Sequence, residues 1–206
     1  MFDRGINSIF PIPLYLEYAE GEEFKKIEEE LISASDKTEF SQRKDWNADT
    51  HQLSKNPFSS NILTDHNCIA TMEFIQRNVI EYVKLSTRSD GNNQYRWSES
   101  WITKTLKGQY AAEHHHGYAD ISGVYYFNTN GEDGNLRFDN IHSQMAGNFI
   151  LAELPSKQPM PLKNGLLILW PGVLKHGTMT NVTDNERMSL SFNILIGRQG
   201  FVVENG

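Results

Sequence analysis

The chain has 206 residues, 38% of them hydrophobic and 22% charged, ordinary proportions for a globular protein with room for one sizeable core. A formal net charge of −7 and a pI near 5.5 argue against a nucleic-acid-binding surface, and no apolar run approaches the roughly 20 residues that cross a bilayer. Cys68 is the single cysteine, which excludes an internal disulfide framework and a cysteine-built zinc site, so histidine and carboxylate must do any metal work.

The opening, "MFDRGINSIFPIPLYLEYAEGEE", lacks a basic stretch followed by an apolar one. That pattern predicts no secretory signal and a cytoplasmic setting. In "EGEEFKKIEEELISA", residues 20–34, Phe24, Ile27 and Leu31 recur at three- and four-residue spacing behind an acidic first turn, which predicts an amphipathic helix. A second helix is predicted within "DHNCIATMEFIQRNVIEYVKLS", with Ile69, Met72, Ile75, Val79 and Val83 as its apolar stripe and Asp65 or Asn67 as its cap. Between them, residues 35–66 are polar and aperiodic, too long for a simple connection, and are expected to form a lid or a mobile loop; they contain Trp46 and Phe58.

From about residue 95 the texture changes to short alternating or apolar runs separated by Gly, Asn, Asp and Pro: "WSESWITKTL", "DISGVYYFN", "GNLRFDN", "GNFILAEL", "NGLLILWPG" and "RMSLSFNILIG". Six short strands at this spacing predict a mainly β sandwich or barrel, flanked by helices from the N-terminal half. The expected organisation is one domain, with residues 1–95 as helical support and a variable loop and 96–200 as the barrel core.

In the last of these runs Met188, Leu190, Phe192 and Ile194 alternate with Arg187, Ser189, Ser191 and Asn193. A period of two puts the sets on opposite faces. The polar set either faces water or lines a barrel interior that holds a charged ligand. Arginine suits the second case, because its guanidinium clamps a carboxylate through two parallel hydrogen bonds, with a neighbouring serine as a further donor.

The stretch "EHHHGYADISGVYYF" sets His114, His115 and His116 directly before a predicted strand, and His176 in "LWPGVLKHGTM" follows another. Three adjacent histidines can be no more than a hydrated turn. Two ligands at i and i+2 by a strand end, joined by a distant third, also match the layout of a mononuclear facial triad in a small β-barrel. On that reading His114 and His116 share a direction and His115 points away. Glu113 and Asp120 are alternative carboxylate ligands or partners for an imidazole N–H.

The ordered words "SWITKTLKGQYAAEHHHGYADISGVYYF", "GNLRF", "LLILWPGVLKH" and "ERMSLSFN", with "IFPIPLY" near the start, resemble the 2-oxoglutarate and Fe(II)-dependent oxygenases of double-stranded β-helix (jelly-roll, cupin-like) fold, in particular a prolyl-hydroxylase-like group found in marine bacteria and phages. The resemblance covers most of residues 98–197. It implies His114 as the first iron ligand and His176 as the last, Arg187 with Ser189 on the distal carboxylate of 2-oxoglutarate, and Tyr126 directed at that same carboxylate. By alternation Tyr126 shares a face with Ser122 and Val124. Most of the superfamily has Asp or Glu where this chain has His116, so the third ligand is His116, Asp120 or absent.

The resemblance further implies Fe(II), 2-oxoglutarate and O2 as metal, cosubstrate and oxidant, and hydroxylation of a small molecule or a peptidyl residue as the reaction, in the cytoplasm of a bacterium or of a phage-infected cell. No nucleic-acid or membrane partner is expected, and a homodimer is compatible with a barrel of this size. The loops at 35–66 and 129–148 are the expected rim of the pocket, and Trp101, Tyr110 and Trp170 its candidate lining. Two rival readings are a three-histidine cupin-type dioxygenase that does not use 2-oxoglutarate and a non-catalytic jelly-roll binding module.

Overall fold

The computed structural model describes residues 11–42, 52–54, 61–141, 149 and 154–197. In chain order the elements are β1 (Tyr15–Tyr18), α1 (Gly21–Asp36), β2 (Phe40–Gln42), β3 (Gln52–Ser54), α2 (Ile62–Asp65), α3 (Ile69–Ser86), β4 (Gln94–Thr105), β5 (Ile121–Asn128), β6 (Leu136–Asp139), β7 (Lys157–Met160), β8 (Leu166–Pro171), β9 (His176–Thr178) and β10 (Arg187–Gly197). The strands form a seven-stranded sheet in the order β1-β8-β5-β10-β4-β3-β2 and a three-stranded sheet in the order β7-β6-β9. The small sheet gains a fourth row, because His114 bridges His176 in antiparallel register.

Two apolar layers result. Strands β5, β8 and β10 are buried on both faces, so their sequences read as near-continuous apolar runs. Tyr125, Phe127, Leu167, Leu169, Met188, Leu190, Phe192 and Ile194 pack beneath the helices with Ile27, Leu31, Phe74, Ile75, Val79 and Val83. The opposite faces supply Val124, Tyr126, Leu166, Ile168 and Trp170, which meet Leu136, Phe138 and Leu174 between the two sheets. Each large apolar side chain buried in this way contributes about 1.5–3 kcal/mol.

The helices differ from their sequence patterns in detail. α1 and α3 form where expected, and Ile75, Val79 and Val83 are buried, but Ile69 is 45% exposed and Phe74 and Tyr82 take the buried positions instead. Neither Asp65 nor Asn67 caps α3; the cap residue is Cys68, without a side-chain bond. The first amides are satisfied from the other helix, for the Glu30 carboxylate accepts from the backbone N–H of Ala70 and of Thr71, at 2.9 Å each, and from the Thr71 hydroxyl at 2.8 Å. An acidic group at a helix N-terminus is favourable whichever segment supplies it.

Strands β1, β2, β3, β7 and β9 had no clear sequence signal, being three or four residues long. Of the predicted strand at 147–154 only Phe149 and Leu154 are described, neither of them in a strand, and Trp46, Phe58 and residues 142–148 lie outside the described residues. Part of the 35–66 segment is regular: it completes α1, adds β2 and β3 to the edge beyond β4, and forms α2. No helix among the described residues is long and apolar enough to cross a membrane.

Candidate metal centre and cavity

Three histidines converge between the two sheets. His114 and His176 exchange both backbone hydrogen bonds, N–H to C=O at 2.9 Å in each direction, so their side chains leave the ladder on the same face. His116 is set two residues on, its N–H donating to Gly172 O at 2.7 Å and its carbonyl accepting from Ala119 N–H at 2.8 Å. Gly172 permits this approach, since a Cβ there would overlap the carbonyls of His116 and Ala119. The three ligand atoms lie within 4.8 Å of one another. His116 and His176 are buried, and His115 faces solvent, as the i and i+2 relation requires.

The ring chemistry suits a metal. His114 Nδ1 lies 2.7 Å from Ala112 O and His176 Nδ1 lies 2.9 Å from Leu174 O. A carbonyl only accepts, so both Nδ1 atoms carry hydrogen and Nε2 is the lone-pair atom of each ring. Burial, reinforced by the neighbouring imidazoles, holds all three rings in the neutral form: it lowers the His116 pKa to about 3 and pushes His114 and His176 below their usual range. Neutral imidazoles are the form that ligates.

The triad lines one part of a cavity, and Arg187, Ser189 and Tyr126 line another. Arg187 is only 3% exposed. Its Nη1 donates to the carbonyls of Asp133, at 2.9 Å, and Gly134; its Nη2 donates to the hydroxyls of Thr105 at 3.1 Å and Thr178 at 3.3 Å. Gly134 sits at φ +98°, and a Cβ there would strike Met179 O and crowd the guanidinium, so glycine is what lets the loop reach the arginine. Among the described residues no carboxylate pairs with Arg187 within salt-bridge distance. Burial lowers its pKa, while Tyr126 and Asp133 oppose the shift. Tyr126 lies beside it through the register that pairs Ser189 with Tyr126, and burial raises the phenol to about 12.

The inward set of β10 is thus the polar one, shared with Ser122, Val124 and Tyr126 of β5 and with Trp101 and Thr103 of β4. Trp101 and Trp170 line this cavity; Tyr110 instead lines a separate groove beside Arg137 and Val182. The two carboxylate alternatives point elsewhere. Glu113 is taken up by Arg137, Lys157 and Lys175 on the outer face of the small sheet. Those cations, the Lys157 ammonium first, hold its pKa at about 2. Asp120 accepts the backbone N–H of Ile196 at 2.8 Å and is exposed.

Sequence reasoning passed over Thr105 and Thr178, whose hydroxyls steady the guanidinium, although Thr103 and Thr105 follow Trp101 at period two. It also passed over a hydrogen-bonded chain at the far end of the polar stripe, buried at Ser122, Asn193 and Glu99 and exposed at Tyr118. Ser122 donates to Asn193 Oδ1 at 2.7 Å, Asn193 Nδ2 donates to Glu99 Oε1 at 2.7 Å, and the Tyr118 hydroxyl donates to the Glu99 carboxylate. This chain ties the histidine-bearing loop to β4, β5 and β10, and burial with the nearby Glu99 carboxylate drives the Tyr118 pKa up.

Residues 99–193 match the family described as "Putative 2OG-Fe(II) oxygenase". No curated protein matches the sequence. Among solved structures, HygX from Streptomyces hygroscopicus with nickel and 2-oxoglutarate bound is similar at a TM-score of 0.58 and 13% identity, over 92% of this chain and 84% of that one. A prolyl-4-hydroxylase of Pseudomonas putida aligns at 0.55 and 12%, over 88% and 92%. The α-ketoglutarate-dependent epimerase SnoN of nogalamycin biosynthesis aligns at 0.59 and 13%, over 83% and 73%. At these identities the likeness establishes the fold. The matched segment, 99–193, carries all three histidines and Arg187, and the chain has the double-stranded β-helix fold of these 2OG-Fe(II) oxygenase structures.

Proposed function

We propose that the protein is a hydroxylase that uses Fe(II), 2-oxoglutarate and O2 on a small molecule or a peptidyl residue. The observation that carries this reading is the pairing, in one cavity, of three neutral histidines with a buried arginine that has no carboxylate partner among the described residues. A cation taken out of water calls for an anion, and a dicarboxylate that reaches from the histidines to Arg187 supplies one.

His114, His116 and His176 would hold the metal through imidazole nitrogen, with the outward bonds of His114 and His176 to Ala112 and Leu174 fixing ring orientation. Arg187 would hold the distal carboxylate of 2-oxoglutarate, with Ser189 and Tyr126 as further hydroxyl donors. The bound iron and its 2-oxo acid supply the oxidising chemistry, with succinate and CO2 as by-products. The chain itself orients the two partners, and Trp101, Trp170 and Val124 keep the cavity wall apolar and exclude water. HygX has been crystallised with hygromycin B bound and the Pseudomonas putida relative is a prolyl-4-hydroxylase, which supports both substrate classes. A purely structural role for the histidines would predict an exposed Arg187 in a surface ion pair, and that residue is buried.

The test is anaerobic reconstitution of the metal-free chain with Fe(II), followed by 2-oxoglutarate, watching for the visible charge-transfer band that chelation produces. Wild type should show the band and His176→Ala should not. Iron binding without a band would move the reading to a three-histidine dioxygenase independent of 2-oxoglutarate, and no iron binding would remove it. Hydroxylation itself requires that, with 18O2, one labelled atom enters succinate and the other the product.

A further inference from the structure

The indole of Trp170 is 3% exposed, and its Nε1 is fully buried with no acceptor among the described residues. Trp170 lines the same cavity as the three histidines. Its ring stands edge-on to His176, centroids 4.8 Å apart, and to Phe138 at 5.2 Å. A buried N–H without an acceptor is a standing penalty, and tryptophan offers only a donor there. A phenylalanine would fill the same apolar wall without it.

A carboxylate ligand would present a second oxygen able to accept from a neighbouring N–H. Here the position is His116, and the neighbouring rings of His114 and His176 already spend Nδ1–H on backbone carbonyls. Their remaining lone pairs are the ones a metal takes. The three imidazoles therefore offer the indole no anionic acceptor, whereas a bound 2-oxo acid would bring one.

We propose that Trp170 Nε1–H is a positioning donor for the metal-chelating end of a bound 2-oxo acid. The inference rests on the cosubstrate reading above. Trp170 and Arg187 then hold opposite ends of one ligand, the arginine its distal carboxylate and the indole an oxygen of the chelating end. With three neutral ligands on the metal, that chelating carboxylate is the first anion in the coordination sphere, which makes its bond to the indole a charge-assisted one.

The experiment uses the full chain loaded with Zn(II), which is diamagnetic, with its tryptophans labelled with 15N. The indole cross-peak missing from Trp170→Phe identifies the residue. Addition of 2-oxoglutarate should move that cross-peak downfield and slow its exchange with solvent. In parallel, calorimetry on Zn(II)-loaded protein in which Trp170 is replaced by β-(3-benzothienyl)alanine, which exchanges N–H for sulfur at the same shape, should show at least tenfold weaker 2-oxoglutarate binding with Zn(II) affinity within twofold of wild type. An unmoved cross-peak in a sample that calorimetry shows to bind 2-oxoglutarate overturns the proposal, as does a benzothienyl variant that binds like wild type while Trp170→Phe alone is weakened, since only packing would then be at stake. If wild type binds no 2-oxoglutarate at all, the cosubstrate reading itself falls and this inference with it.

Discussion

Replacing Arg187 with lysine separates the shape of the buried cation from its charge. The guanidinium is held by two carbonyls and two hydroxyls, the hydroxyl contacts being the long ones at 3.1 and 3.3 Å. Lysine keeps the charge but presents an ammonium in place of a planar fork, so a bond that the guanidinium makes to a bound carboxylate on releasing a long hydroxyl contact is lost. A charge-assisted bond is worth about 1.5–3 kcal/mol, which is roughly 10- to 150-fold in Kd. The fold suffers separately: a carbonyl of Asp133 or Gly134 left without a donor costs about 1–3 kcal/mol, a Tm drop of roughly 2–12 °C for a chain of this size. The assay titrates the Fe(II) complex anaerobically with 2-oxoglutarate and with pyruvate, which has the same chelating end and no distal carboxylate. Arg187→Lys should weaken 2-oxoglutarate by the factor above and change pyruvate less than threefold. Parallel losses for both acids, or none for 2-oxoglutarate, would refute the assignment of Arg187 to the distal carboxylate.

The histidine row offers an internal control, because His115 is exposed and His116 buried beside the other two rings: His115→Ala should leave Fe(II) affinity within twofold, and His116→Ala should lower it by more than tenfold in a competition titration with a chelator. Glu30→Ala removes the acceptor of the first α3 amides and should lower stability by about 0.5–2 kcal/mol in urea unfolding, with 2-oxoglutarate binding unchanged in the folded protein. Cys68, buried first and then affected by Glu30, has its thiol raised to about 11. It should resist alkylation at pH 8 until urea unfolds the chain. Because its folded pKa lies above the unfolded one, the unfolded state ionises first, and stability is lost as pH rises from about 9 to 11, by roughly 1 kcal/mol at pH 10. A Cys68→Ala variant should lack that part of the alkaline decline.

What could be read from the chain before folding divides along physical lines. Alternation exposes a strand's two faces whatever the partner strand is, so the split of Arg187, Ser189, Ser191 and Asn193 from Met188, Leu190, Phe192 and Ile194 was visible, and so was the company of Tyr126 with Ser122. The choice between water and an enclosed ligand for the polar face was not, because it depends on the small sheet closing over it. Periodicity located α3 but misplaced its cap, since the acceptor is Glu30, 40 residues from Ala70. Glu113 looked like a ligand because it adjoins His114, yet the same alternation that turns His114 inward turns Glu113 outward to Lys157 and Lys175. Strand β9 is three residues long with glycine in its middle, too short for any pattern, though it delivers His176.

That brevity bears on how the chain finds its register. Residues 114 and 176 are locked by one reciprocal pair of backbone bonds across a 62-residue separation, in a strand with almost no side-chain pattern to choose among alignments. A slip by one residue would put Gly177 opposite His114 and turn His176 to the other face. The slipped form keeps much of its hydrogen bonding but presents two imidazoles instead of three. A metal ion held by all three would therefore act as a proofreader of strand alignment: it would stabilise the in-register sheet selectively, by an amount that grows with its free concentration, and withhold that stabilisation from the neighbouring register.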